Sequence, residues 1–121
     1  MTVHDNRSIT AVNRNGVELT IDLEGEDGFS PLELLLASLG SCGAVDFALL
    51  MSKQREPVTP FEVQVDGLKE DNRMQWLGVT YRLEADPDAK KVERARLKTA
   101  TDLCTVSRTL ASGTSVEHVV T

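Results

Sequence analysis

The stretch Ser30–Met51, SPLELLLASLGSCGAVDFALLM, decides the fold. Ser30 fits the N-cap of a helix and Pro31 its first turn, where the missing N–H costs nothing. Glu33 follows three places after Ser30, so the segment opens as a capping box. Leu35, Leu39, Cys42, Val45 and Leu49 then form one stripe at helical spacing. Leu32, Leu36, Phe47, Leu50 and Met51 lie off that stripe and are also apolar. A helix apolar on several faces is buried on several faces. The run is long enough to span a bilayer. Glu33 and Asp46 inside it, its small residues, and Lys53, Arg55 and Glu56 just after it argue instead for a central helix. Sheet, or a second subunit, would enclose it.

Outward from this helix, 121 residues make one domain, 1–121, with room for a real core. The net charge is −6, with one Trp and one Tyr and no basic run, which excludes a basic, aromatic-rich nucleic-acid face. A polar N-terminus without a signal peptide predicts a cytoplasmic protein. There, two cysteines are reduced or cycling thiols rather than a permanent staple.

Arg7–Asn13 reads as a strand, Asn15-Gly16 as a type I′ hairpin turn, and Val17–Leu23 as a half-buried strand by strict alternation. An acidic loop, Glu24–Gly28, leads into the helix. Pro57 and Pro60 end the helical region. Strands are predicted over Phe61–Asp66 and Leu77–Ala85, joined through a polar turn at Lys69–Arg73. Asp86-Pro87-Asp88 opens a second helix with Val92, Ala95 and Leu103 inward. Asp102 caps a short helix over Leu103–Ala111, Gly113 closes it, and Val116–Val120 is a last strand. The order ββαββααβ is an α+β domain with antiparallel hairpins packed on helices.

Cys42 lies mid-helix on the apolar stripe, one turn before Asp46, and its plain reading is a small buried hydrophobe. Cys104 falls in the first turn of the short helix, where the dipole favours a thiolate, with Arg108 facing it four residues on. Its plain reading is a core residue at a helix junction. His4 and His118 sit near opposite termini, so no zinc ligand set is expected. No cofactor-binding loop, CxxC motif or GxSxG elbow is present.

Two segments together carry a resemblance. Ser30-Pro31-Leu32-Glu33-Leu34-Leu35-Leu36-Ala37 running to Gly40-Ser41-Cys42, and Leu103-Cys104-Thr105-Val106-Ser107-Arg108-Thr109-Leu110, resemble the OsmC/Ohr family of thiol-dependent proteins. The likeness is greater to its OsmC-like branch than to OsmC or Ohr proper. It implies an OsmC-like α+β fold, with antiparallel sheets around a long central helix in an intertwined homodimer. It implies a peroxidase of the oxidative stress response that reduces organic hydroperoxides. Cys42 would be the attacking thiol and Cys104 the resolving one, with a sulfenic acid, then a disulfide, then reduction by an external dithiol. No cofactor, metal, nucleic acid or membrane enters that scheme.

The sequence departs from the family at three places. Peroxidase branches carry a glutamate directly after the motif proline, paired with an N-terminal arginine. Here Leu32 follows Pro31, and Glu33 points to the face of the helix away from Cys42. Arg7 and Arg14 are the N-terminal candidates for holding the thiolate, and Arg108 is a third. Thr105 stands where the peroxidases usually have proline. The alternative function on the same fold is a non-enzymatic redox sensor or a protein that binds a small apolar ligand.

Overall fold

The computed structural model describes residues 1–121. The chain forms two compact units, Met1–Ala37 and Ser38–Thr121.

The first unit holds a three-stranded antiparallel sheet of β1 (Thr2–Val3), β2 (Ile9–Val12) and β3 (Glu18–Ile21), in that order. The short β1 was not expected. The turn between β2 and β3 is not type I′. Asn13 accepts the Gly16 N–H at 3.0 Å, its side chain takes the Asn15 and Val17 N–H groups, and Gly16 alone has positive φ, at 80°. This is a type I turn closed by a left-handed glycine, the common three-residue hairpin loop. The Asn13 carboxamide selects it by occupying the donors of the loop. In the following loop the Asp22 carboxylate accepts the N–H groups of Glu24, Glu26 and Asp27. Those bonds, the Asp27 one foremost, hold its pKa below the ordinary value. The capping box forms as expected. Ser30 N–H donates to Glu33 at 2.9 Å and Ser30 Oγ accepts the Glu33 N–H at 3.2 Å.

The helix opened by that box is α1, Pro31–Lys53. Within the second unit its buried residues are Leu39, Gly40, Gly43, Phe47 and Met51, a stripe set by the interval of four. The expected stripe is only partly right, since Val45 is 68% and Leu49 50% exposed. The stripe turns because small residues choose the packing face. A Cβ at Gly40 would run into Val65 and one at Gly43 into Tyr81, so the glycines let other backbone and side chains come close.

The strands received by this face are β4 (Phe61–Glu70) and β5 (Arg73–Leu83), an antiparallel hairpin longer than predicted. Its two-residue turn, Asp71-Asn72, has positive φ at both positions, the type I′ requirement met by residues that tolerate it. Phe61 pairs with Leu83 and Val63 with Tyr81. Phe47, Met51, Val58 and Ala95 form the buried cluster, with Leu50, Phe61, Tyr81, Leu83 and Val92 against it. Phe47 stacks on Tyr81 at 4.7 Å between centroids, and Phe61 meets both edge-on.

Asp88 caps α2 (Ala89–Lys98). Gln54 ties the end of α1 to α2 through the Lys91 carbonyl, at 3.0 Å. After α2 comes a π turn, Thr99–Leu103, and then α3, Thr105–Ser112. Val92 and Ala95 face inward as predicted, but Leu103 is 38% exposed. The expected strand over Val116–Val120 does not form. No strand edge pairs with it, and its valines are exposed.

Candidate functional site

Three reactive side chains meet within the second unit. Cys42 and Asp46 come from successive turns of α1, and Cys104 from the junction before α3. The two Sγ atoms and a carboxylate oxygen all lie within 4.8 Å of one another. Both thiols are free. Cys42 and Asp46 are half-buried, whereas Cys104 is only 1% exposed.

The π turn sets the position of Cys104. Its N–H reaches back five residues to the Thr99 carbonyl at 2.9 Å. Widened turns of this kind recur at functional sites, because the extra residue re-aims the next side chain. Cys104 itself, rather than Asp102, then becomes the N-cap of α3, with φ −67° and ψ 106°. Its Sγ accepts the Ser107 N–H at 3.5 Å. The expected outcome, a thiol made acidic by the helix dipole, is overturned. Burial pushes the Cys104 thiol up, the Ser107 N–H draws it partly back, and the hydrogen bond that its own S–H donates to the Cys42 sulfur raises it again. Desolvation of a charged sulfur outweighs one backbone dipole.

The three candidate arginines stand as follows. Arg108 is exposed and reaches the Asp102 carbonyl at 3.5 Å. It is absent from the charges acting on the Cys104 thiol. Arg7 is an exposed turn residue with φ 66° between β1 and β2, and Arg14 is exposed in the β2–β3 loop. Glu33 is occupied by the cap of α1.

Sequence reasoning missed the other side of the site. Tyr81 on β5 brings its hydroxyl against the backbone of α1 at Gly43. Burial pushes its pKa from 10.0 up to about 12, and the negative charge available to Cys104, Asp46 and Cys42 adds to the rise. A cavity of about 280 Å³ adjoins it, lined in part by Leu39, Leu77, Val79, Tyr81, Thr99 and Ser107. Thr99 is 2% exposed, and its Oγ1 has no hydrogen-bond partner. A buried hydroxyl left alone is costly enough to mark a place built for something polar. The Cys42–Asp46 spacing and the only tyrosine were legible signals. Thr99 carried none, since its burial depends on the π turn.

Because Tyr81 is the sole tyrosine, its titration is directly observable. Phenolate absorbance of the native protein is expected to rise with a midpoint near 12, returning to about 10 in denaturant. The folded pKa is the raised one. Its contribution to stability is therefore complete below pH 10 and lost as pH climbs through the folded value. A native midpoint at 10 would show that the hydroxyl is in water.

An α+β domain that brings two free thiols together from a long helix and a π-turn junction is a dithiol protein by class. The chain belongs to the family of OsmC-like proteins, whose model matches residues 24–119. No curated protein matches it. Among solved structures it is similar to an OsmC-like protein from Mycoplasma pneumoniae, with TM-score 0.80 and 16% identity over 93% of this chain and 84% of the other. A hypothetical protein from Aquifex aeolicus gives TM-score 0.73 and 24% identity over 93% and 85%. An OsmC-like protein of unknown function from Vibrio cholerae gives 0.64 and 16% over 85% and 78%. At these identities the likeness establishes the fold.

Proposed function

We propose that this protein is a cysteine-based hydroperoxide reductase of the oxidative stress response, acting in the cytoplasm. The carrying observation is that Cys42 and Cys104, far apart in the chain, have sulfurs within 4.8 Å. Cys42 gives up its proton, and the thiolate attacks the distal peroxide oxygen. The O–O bond breaks, and the departing alkoxide takes a proton and leaves as an alcohol, with Cys42 as sulfenic acid. The Cys104 thiol then attacks the Cys42 sulfur. Hydroxide leaves with the thiol proton as water, and the disulfide remains for an external dithiol to reduce. Net, one hydroperoxide and two thiols give alcohol, water and a disulfide. Leu39, Leu77 and Val79 along the cavity favour an organic peroxide over an inorganic one. The exposed Val45 and Leu49 on α1 support a homodimer that covers them.

The test is intact mass after one equivalent of an organic hydroperoxide is added to the reduced protein. Loss of two hydrogens within seconds is expected. An unchanged mass after minutes would sink the peroxidase reading. The second reading, a redox sensor or a protein that binds a small apolar ligand, would then lead. One observation favours it: burial raises the Cys104 pKa, which makes it a slow resolving nucleophile, as suits a sensor that holds its oxidised state.

A further inference from the structure

Beyond any reaction with peroxide, the geometry points to a binding site for a thiophilic divalent cation, Zn²⁺ by its chemistry, formed by Cys42, Asp46 and Cys104 in the reduced protein. The inference shares only the cysteine pair with the functional reading above. Spacing along the chain gives no ligand set, because both histidines lie near the termini. Folding supplies one, by setting a helix turn against a helix N-cap.

The donor atoms carry the argument. No pair among the three is separated by more than 4.8 Å. Some point therefore lies within about 2.8 Å of all three, at most about 0.5 Å beyond the ~2.3 Å zinc–sulfur distance and about 0.6–0.8 Å beyond the ~2.0–2.2 Å zinc–oxygen distance. Rotamer adjustment of two side chains on α1 covers that difference. Cys104 is already fixed by its backbone and by the Ser107 N–H.

The charges point the same way. Asp46 is half-buried, takes part in neither of the chain's two ion pairs and makes no hydrogen bond. Within this unit the nearby arginines are engaged elsewhere. Arg96 pairs with Glu93, and Arg108 reaches the Asp102 carbonyl. Three groups that each become anionic are thus gathered without a cation among them. Two thiolates and one carboxylate would balance a divalent ion and leave one net negative charge. Soft sulfur ligands disfavour Mg²⁺ and Ca²⁺, and two thiolates with a carboxylate suit Zn²⁺. Three protein ligands also leave the fourth tetrahedral position to water or a small ligand.

Binding is coupled to redox state. Each thiol releases one proton to solvent as its sulfur ligates the metal. Conversion of the two thiolates to the disulfide, by a hydroperoxide that becomes alcohol and water with two protons taken up, removes both sulfur ligands and frees the ion. Zinc therefore caps the reduced pair, and oxidation uncaps it.

The test uses the reduced full-length protein without peroxide, so an inactive peroxidase leaves its result untouched. Anaerobic Co²⁺ titration is expected to give a thiolate-to-cobalt charge-transfer band saturating at one equivalent and erased by Zn²⁺. Cys42→Ser and Cys104→Ser should lose the band. The isosteric Asp46→Asn should keep it while losing Zn²⁺ affinity by about tenfold or more, measured against a chromogenic chelator. The disulfide form should bind no metal. Absence of the band at stoichiometric Co²⁺ would overturn the site. So would unchanged Zn²⁺ affinity in Asp46→Asn or in either serine variant, circular dichroism having shown each to be folded.

Discussion

Cys42→Ser is expected to lose hydroperoxide turnover by roughly a thousandfold or more. A serine hydroxyl is far less acidic and less nucleophilic than a thiol, and no other free sulfur can take over the first step. Cys104 cannot substitute, because it is 1% exposed and burial raises its pKa. Cys104→Ser should behave differently. It should release about one alcohol per protein and then stop, with Cys42 carrying one added oxygen and advancing under excess peroxide to the sulfinic acid. Turnover coupled to a dithiol, followed beside intact mass, separates the two variants. Full activity in Cys42→Ser would end the proposal. Full cycling in Cys104→Ser would show that the external reductant resolves the sulfenic acid directly, and Cys104 would lose its role. The readout also bears on the missing glutamate at Leu32. The structure commits Glu33 to the cap of α1, so activation of Cys42 has to come from elsewhere.

Much of this arrangement was legible in the residues, and what was not has identifiable causes. The capping box at Ser30 and Glu33 is a local pattern and forms as written. Alternation located both strands of the β4–β5 hairpin, though their lengths depend on pairing that alternation does not count. The stripe on α1 was misjudged by hydrophobicity alone. Gly40 and Gly43 carry little apolar surface, yet they mark the face that the hairpin approaches most closely. Val116–Val120 has strand composition but no partner edge, and β-propensity expresses packing more than backbone preference. The cysteines were found because residue type and motif named them. Their proximity was implied by the family resemblance alone and not by local pattern, because it rests on the π turn at Thr99–Leu103, which inserts one residue into a helical path without any local sequence mark. The same turn buries Thr99 and makes Cys104 a cap in place of Asp102.

Phe47→Ala is expected to cost about 3–5 kcal/mol, the range for removing a fully packed aromatic side chain. The ring is 1% exposed and sits where α1, the β4–β5 hairpin and α2 share one core. Its loss deletes the stack on Tyr81 and the edge contact with Phe61 together. The walls cannot readily close on the gap, since Met51 and Ala95 are already fully packed. Against a total stability of roughly 5–15 kcal/mol, such a loss brings part of the population toward unfolding, so the urea midpoint should fall steeply at unchanged slope. Phe47→Leu, which retains much of the volume, should cost about half as much. An unfolding free energy for Phe47→Ala within about 1 kcal/mol of wild type would show that the cluster is not where the stability lies. The effect should also reach the site. Tyr81 is held against Gly43 by its stack on Phe47 at 4.7 Å. With that backing gone, the phenol can swing toward solvent and its raised pKa should relax from about 12 toward 10.0. Phe47→Leu, still folded and still lacking the aromatic stack, is the variant in which to read that midpoint. A phenol that stays near 12 there would mean that Tyr81 is held by the hairpin and α1 alone, with Phe47 contributing to stability but not to the geometry beside the thiols.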